Sequence, residues 1–427
     1  MRKEIAPIIG ITFLVQLVVF LIGTGNNVII SRLLGPENLG TLAIIIVLVE
    51  VVFKVANQGI DTSAIYFISN KRFELKDFIN TYFVNSILVI GLGICLLALV
   101  NQIGVVTVFS KSVNLNFLND FFVPIVLYFF SFLIYEFGIK LPLGLEKYSE
   151  YNKIQLYKPI ILFLLLISSS FLLKFNLSSV LIMLSISFLV PALFSWRLAL
   201  PINLKWKKEP ALESFRFGAK IMFANLVQLM NYRADILLIS FFLTQTEVGW
   251  YYVCVIIGER LLLLTQATST ILLPSASGSE EQRKKTPVFA RLNSAVVLIA
   301  SFVIGITAYW LVPFLFSDKY INSVLPLILL LPGIFSLSVS KILSADFISR
   351  GLPQYSLYVS ILNFCLNIIL NIILIPKIGI AGAALSSTFS YSAALLFQIY
   401  FYKRFTNVRF NELIFLRKSD LKNLKSI

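Results

Sequence analysis

Residues 8–30 read IIGITFLVQLVVFLIGTGNNVII, a run with no charged side chain and few polar ones. A transmembrane helix needs about 20 predominantly apolar residues, and this stretch exceeds that. Met1-Arg2-Lys3 stands just before it. The run is too long for the apolar core of a signal peptide and shows no small-residue cleavage site, so it reads as a first membrane helix.

Counting that run as 8–32, eleven further segments pass the same test. They lie at about 40–67, 78–100, 121–141, 157–173, 179–199, 215–243, 248–273, 288–316, 322–347, 354–375 and 380–402. The expected fold class is an all-α polytopic membrane protein with twelve transmembrane helices in two six-helix lobes. Composition agrees. Hydrophobic residues make up 58% of the 427 and charged residues 13%, with a mean hydropathy of +0.87. A soluble chain of this length could not hide so much apolar side chain behind a polar surface.

The formal net charge of +15 would suggest nucleic acid in a soluble domain. Here the basic residues crowd into short loops between apolar runs, so membrane placement displaces nucleic acid as their explanation. With the N-terminus inside, 27 of the 36 Lys and Arg residues fall in inner loops and the tail. Only Arg32, Lys111, Lys174, Lys319 and Lys377 fall outside, and four lie within helices. Both termini are therefore expected on the cytoplasmic side of the cytoplasmic (inner) membrane. Cys95, Cys254 and Cys365 sit in apolar stretches without metal-ligand spacing, and histidine is absent. A zinc site or a histidine base is thus not expected, and without a GxxxxGK[ST] run neither is an ATP-driven pump.

The longest polar connection contains Lys205-Trp206-Lys207-Lys208-Glu209-Pro210. It divides the chain into an N-terminal lobe (1–202), a cytoplasmic linker (203–214), a C-terminal lobe (215–402) and a basic tail (403–427). The lobes carry traces of a repeat. Ile30-Ser31-Arg32-Leu33-Leu34 and Gly40 match Ile239-Ser240-Phe241-Phe242-Leu243 and Gly249 at an offset of 209, which also carries Glu50 onto Glu259. Gly144-Leu145 and Tyr148-Ser149 match Gly351-Leu352 and Tyr355-Ser356 at an offset of 207. Six helices per half make the repeats parallel, as in several transporter classes.

Ionisable groups at membrane depth cost several kcal/mol unless paired or facing water, so their positions are informative. In the second helix Glu50, Lys54, Asn57 and Asp61 are spaced to share one face, and Glu50 and Lys54 have the favourable i,i+4 order. The eighth carries Glu259, with Arg260 beside it, then Gln266 and Thr270. The seventh offers Asn225, Gln228, Tyr232 and Asp235, with Arg233 roughly opposite; the first adds Gln16, Gly23 and Asn27, and the tenth Lys341. Two readings stand: interhelical pairs that hold the bundle together, or one polar cavity. On the cavity reading, Glu50, Asp61, Asp235, Glu259 and Asn27 are cavity or coupling groups and Lys54, Arg233, Arg260 and Lys341 are substrate-binding candidates. These four bases exceed Glu50, Asp235 and Glu259, which suits an anionic phosphate or pyrophosphate headgroup. Tyr128 and Tyr135 either stack on sugar or pack in the interior.

The stretch Ser31-Arg32-Leu33-Leu34-Gly35-Pro36-Glu37-Asn38-Leu39-Gly40 resembles the R-x-L-G-P-x-x-x-G signature of the polysaccharide transporter family. Its members are the Wzx-type flippases of the multidrug/oligosaccharidyl-lipid/polysaccharide exporter superfamily. Lys377-Ile378-Gly379-Ile380-Ala381-Gly382-Ala383-Ala384 resembles the family's G-x-x-G-A-A turn. The resemblance implies a MATE-like fold. It also implies that a polyprenyl-pyrophosphate-linked oligosaccharide, a repeat unit of O-antigen, capsule or exopolysaccharide, is turned from the inner to the outer leaflet by alternating access. It adds membrane lipid and a polysaccharide polymerase as partners, and Arg32 as a substrate-binding candidate, although Arg32 also reads as a cap on the first helix. No cofactor and no enzyme activity are implied, only coupling to a proton or sodium gradient.

Three rivals remain. An ion-coupled multidrug exporter of the same fold would carry a carboxylate-rich cavity, against the basic excess here. The lipid flippase of peptidoglycan synthesis resembles longer chains with fourteen helices. An integral-membrane glycosyltransferase would need a large loop with paired carboxylates, and the longest loop here is short and basic.

Overall fold

The computed structural model describes residues 2–102, 116–172, 175–277, 286–406 and 413; the basic tail beyond Thr406 falls almost wholly outside them. Among the described residues every regular element is a helix. In chain order they are α1 Arg2–Asn57, α2 Ile60–Ser69, α3 Leu75–Gln102, α4 Asn116–Gly138, α5 Lys140–Gly144, α6 Tyr148–Leu172 and α7 Leu177–Arg197. Then come α8 Lys208–Phe242, α9 Gln245–Ser277, α10 Thr286–Phe316, α11 Val324–Ser349, α12 Pro353–Ile378 and α13 Ile380–Thr406, with a 3-10 turn at Asp318–Ser323. Eight stretches among the described residues are long and apolar enough to cross a membrane. The chain is a multi-pass membrane protein, and helices are the natural outcome because hydrocarbon offers the backbone no hydrogen-bond partner.

Among the described residues thirteen helical stretches stand where twelve helices were expected, and glycine explains most of the difference. The first two expected helices meet inside α1 at Gly35, where a φ of 71° and ψ of 172°, which only glycine adopts readily, break the helix into two across a kink. The second is cut near its end, where Gln58 and Gly59 take positive φ and α2 begins anew. The fourth is cut after Gly138, leaving five-residue α5.

Contacts divide the chain into two units, residues 1–229 and 230–427. In the first, α1 packs on α6 and α3, α4 on α7, and α2 on α5. Phe53 is gripped edge-on by Phe132 and Phe137. Tyr82 donates its hydroxyl to the Phe137 carbonyl at 2.9 Å, and the Trp196 indole donates to the Ile134 carbonyl at 3.1 Å.

The segment joining α7 to α8 is strapped along α3. The Asn203 N–H donates to Asn80 Oδ1 at 2.9 Å, the Lys207 N–H to Thr81 Oγ1 at 3.2 Å and Trp206 Nε1 to Asn85 Oδ1 at 3.0 Å. Lys207 Nζ also pairs with Asp77, whose hydrogen bond holds that ammonium above its ordinary pKa. Further on, Arg72 meets Glu213 at 2.8 Å and Tyr66 stacks on Phe217. Gly59 and Gly218 cross so closely that a Cβ on Gly59 would lie 2.3 Å from the Gly218 carbonyl oxygen.

In the second unit α11 is central, packed against α9, α10 and α13, with α12 on α13. Its C-terminal end is pinned by a buried carboxylate. Asp346 Oδ1 accepts from Thr286 Oγ1 at 2.8 Å and Oδ2 from Arg350 Nε at 2.6 Å. Three asparagines one turn apart on α12 form a buried ladder. Asn371 donates to Asn367, Asn367 to Ser387 and Ser390, and Asn363 to Asn231.

The expected repeat recurs as local geometry, with one correction. Gly35, where α1 bends, maps at an offset of 209 onto Thr244, in the break between α8 and α9. The later turns match at 205, however, not 207. The Lys147 N–H donates to the Pro142 carbonyl as the Leu352 N–H does to Phe347, and Glu146 and Gly351 both take positive φ. Identical dipeptides fell two residues off the true register.

Candidate functional site

Four of the sequence candidates converge in the second unit. Tyr232, Asp235, Tyr251, Glu259 and Tyr391 line one small cavity, closed on its apolar side by Leu330 and Ile334. The final turns of α8 supply Tyr232, Arg233 and Asp235, and α9 supplies Tyr251 and Glu259. Arg233 Nη1 meets Glu259 Oε1 at 2.6 Å. Tyr251 donates to Asp235 Oδ2 at 2.5 Å, and the Ile236 N–H donates to Oδ1 at 2.9 Å. Lys341, reaching from α11, holds its ammonium 5.1 Å from the Tyr232 ring centroid, a cation–π contact that steadies a charge away from bulk water. The cavity wall takes Glu259 and not its neighbour Arg260, since successive helical residues project ~100° apart; Arg260 is half-buried.

These groups form an acid–base set where α8 and α9 meet. Asp235 is buried among aromatic hydroxyls, while Glu259 keeps 43% of its side chain exposed against 17% for Arg233. A half-uncovered carboxylate on a shielded guanidinium is an exchangeable partner. A stronger anion could displace it.

The first unit holds a second group. Lys54 is half-buried, with its ammonium 5.1 Å from the Phe53 ring centroid, and Glu50 lies half-buried one turn earlier on α1. Asp61 is buried. Its Oδ1 accepts from Asn57 Nδ2 at 2.5 Å, and Lys140 Nζ stands 3.6 Å from Oδ2 and 3.7 Å from Glu136. Asn27 is half-buried and accepts from Ser31 Oγ through its carbonyl at 2.7 Å. Arg32 is exposed. Of the polar residues expected beside Glu259, Gln266 is exposed, and the side chain of Thr270 lies outside the described residues.

Three charged residues escaped the sequence reading. Lys158, counted with the inner-loop basic residues although the expected helix 157–173 opens one residue before it, is half-buried, its ammonium 4.0 Å from the Phe188 ring centroid and 5.5 Å from that of Tyr135. Helix α6 starts at Tyr148, nine residues before the predicted boundary, which carries Lys158 inward. Lys140 likewise turns in to serve Asp61. Asp346 is fully buried, and its one sequence signal was Arg350 at i+4. Tyr128 and Tyr135 are both buried against Phe188, so they act in packing.

Comparison with known proteins places these features. The sequence profile described as "Polysaccharide biosynthesis protein" matches residues 29–325. Two relatives are the probable low-salt glycan biosynthesis flippase Agl15 of Haloferax volcanii, 24% identical over 41% of this chain, and the capsular polysaccharide biosynthesis protein CapF of Staphylococcus aureus, 32% identical over 36%. The chain matches about two fifths of the length of either relative, 39% in each case. In structure it is similar to the lipid II flippase MurJ in an inward closed conformation. That likeness has a TM-score of 0.79 at 13% identity, over 92% of this chain and 87% of that one. An inward-facing MATE transporter follows with 0.72 at 14% identity, over 90% and 94%. Identities this low speak to the fold alone.

Proposed function

Because the chain belongs to the polysaccharide biosynthesis protein family, we propose that it is a flippase that moves a lipid-linked glycan across the cytoplasmic membrane. The substrate class is a polyprenyl-pyrophosphate-linked oligosaccharide, carried from the inner to the outer leaflet by alternating access. The chain then crosses the membrane twelve times in two six-helix lobes, keeps both termini in the cytoplasm and works as a transporter, not an enzyme. A polysaccharide polymerase would consume its product.

The observation that supports this reading is the Arg233–Glu259 pair beside Lys341. A pyrophosphate is a bidentate, multiply charged acceptor that suits a guanidinium fork. On arrival it displaces the exposed Glu259 carboxylate from Arg233, and on release Glu259 returns. Arg233 is thereby never left as an uncompensated charge in a low-dielectric setting. Within the first unit, Lys54 is a separate group able to attract an anion. Asp235, with Tyr251 as its donor, is the carboxylate suited to proton or sodium coupling.

The second reading is an ion-coupled multidrug exporter, favoured by Asp235, a buried carboxylate able to attract a cation. Two assays on the same cells separate the readings: surface glycan display and efflux of a cationic dye. The flippase reading expects the wild-type chain to restore glycan display in cells lacking it, Arg233→Ala to lose that restoration, and neither to alter dye efflux. Dye efflux without glycan display would overturn it.

A further inference from the structure

A second cavity, of about 750 Å³, opens in the first unit between the start of α1 and the start of α6. Its size falls in the range of small-molecule sites. One wall is hydrocarbon: Ile11 and Val15, one turn apart on α1, face Leu156 of α6. The opposite rim is charged, carrying Glu146, Lys147, Glu150 and Lys153. Thr12 and Asn152 tie the two helices together by a 3.0 Å hydrogen bond. Ile11 is 56% exposed, so the apolar wall continues outward to where bilayer chains lie. The cavity lining is therefore amphipathic, with Ile11, Val15 and Leu156 beside Glu146, Lys147, Glu150 and Lys153.

The rim charges decide the headgroup. Glu150 and Lys153 satisfy one another at 2.8 Å, which leaves Glu146 and Lys147, adjacent in the turn that closes α5. Both are exposed, and the Lys147 N–H is fixed to the Pro142 carbonyl at 2.8 Å. A ligand of single sign would gain one contact here and meet one repulsion. A headgroup with both signs gains two. We propose that this cavity binds a zwitterionic phospholipid with a primary ammonium, a phosphatidylethanolamine. Its phosphate lies on Lys147, its ammonium donates to Glu146, and one acyl chain runs along Ile11, Val15 and Leu156. The lipid acts as a structural ligand that fills the gap between α1 and α6, and the inference stands independently of what the chain transports.

Native mass spectrometry of the full chain in detergent, with phosphatidylethanolamine, phosphatidylcholine and phosphatidylglycerol supplied in equal amounts, tests this. The expected result is retention of phosphatidylethanolamine adducts at least several-fold above the other two. Phosphatidylcholine lacks the N–H donors, and phosphatidylglycerol lacks the cation. Lys147→Glu should abolish the preference, and the exchanged pair Glu146→Lys with Lys147→Glu should restore it. Val15→Trp should exclude all three lipids by filling the groove. Should that variant fail to fold, the rim variants still decide, since both positions are exposed. Equal retention of the three lipids, a preference for phosphatidylglycerol, or a preference unmoved by Lys147→Glu would each overturn the proposal.

Discussion

Arg233 of α8 and Glu259 of α9 meet at 2.6 Å, although nearly half of the Glu259 side chain is left uncovered by protein. That asymmetry separates a pair that holds helices from one that waits for a ligand. An exposed partner adds little stability, about 1 kcal/mol or less. Arg233→Ala should therefore leave the melting temperature in detergent nearly unchanged. Glycan display should fall by tenfold or more, the scale of losing one charge-assisted hydrogen bond of ~1.5–3 kcal/mol. The exchanged pair Arg233→Glu with Glu259→Arg should not recover transport. Full recovery by the exchange would reduce the pair to a structural bridge.

Tyr251 and Asp235 make the opposite prediction. Both are buried, and the Tyr251 hydroxyl is the donor to Asp235 Oδ2. Tyr251→Phe strands a buried acceptor, at a cost of about 1–3 kcal/mol, and should lower the melting temperature measurably. Asp235→Asn keeps its one oxygen for the Ile236 N–H and turns its NH2 to donate to the Tyr251 oxygen, so it should fold close to normally, while transport loses its dependence on the proton or sodium gradient. An unchanged gradient dependence in Asp235→Asn would place coupling elsewhere.

Replacing Gly by Ala inside a helix ordinarily gains up to about 1 kcal/mol. Gly218→Ala should invert that sign, because its Cβ would lie 2.5 Å from the Gln58 carbonyl oxygen and 2.6 Å from Gly59 C. Gly91→Ala, on α3 with nothing within 4 Å, is the matched control and should stabilise. Thermal unfolding of the two variants side by side checks the crossing of α2 and α8; equal effects would argue that the helices relax apart at no cost.

Asp346 should be the least replaceable acid in the second unit. It is fully buried and holds both Thr286 and Arg350. Asp346→Ala leaves Arg350 uncompensated, a loss of about 3–5 kcal/mol where such pairs are buried. The variant should accumulate poorly in membranes, measured by fluorescence-detected size exclusion. The double variant Asp346→Leu with Arg350→Leu should recover part of the yield.

Lys54 tests the first unit. Its ammonium stands over Phe53, where an anionic group can approach it. Lys54→Gln should reduce glycan display and Lys54→Glu should reduce it further, at matched protein levels. Equal display by the two would mean that the sign of charge at this position does not matter to the substrate.

Much of this protein is readable from the sequence alone, and the reason is that the bilayer acts locally. Its thickness sets the length of an apolar run, so the apolar spans emerged without any knowledge of their neighbours, although α6 and α8 begin nine and seven residues before the predicted boundaries. The cost of charge in hydrocarbon made Lys54, Arg233, Asp235, Glu259 and Lys341 conspicuous. Their partners were a different matter. The pairing of Asp61 with Lys140, 79 positions along the chain, and that of Asp346 with Thr286, 60 positions away, depend on which helices pack together. No local periodicity encodes that.

Gly35 was a local signal that held, since Gly-Pro marks a break in the sequence and the two halves of α1 meet across a kink there. Lys158, counted with the inner-loop residues, proved to lie within α6, which begins at Tyr148. The segment around Trp206 looked like a free linker until Asn80, Thr81 and Asn85 of α3 supplied its hydrogen bonds. Sequence alone determined the solvent this chain folds in and the residues that solvent makes expensive. Tertiary structure decided how each of those residues is satisfied, because a partner for a buried charge is set by which helices touch and not by what stands beside it in the chain.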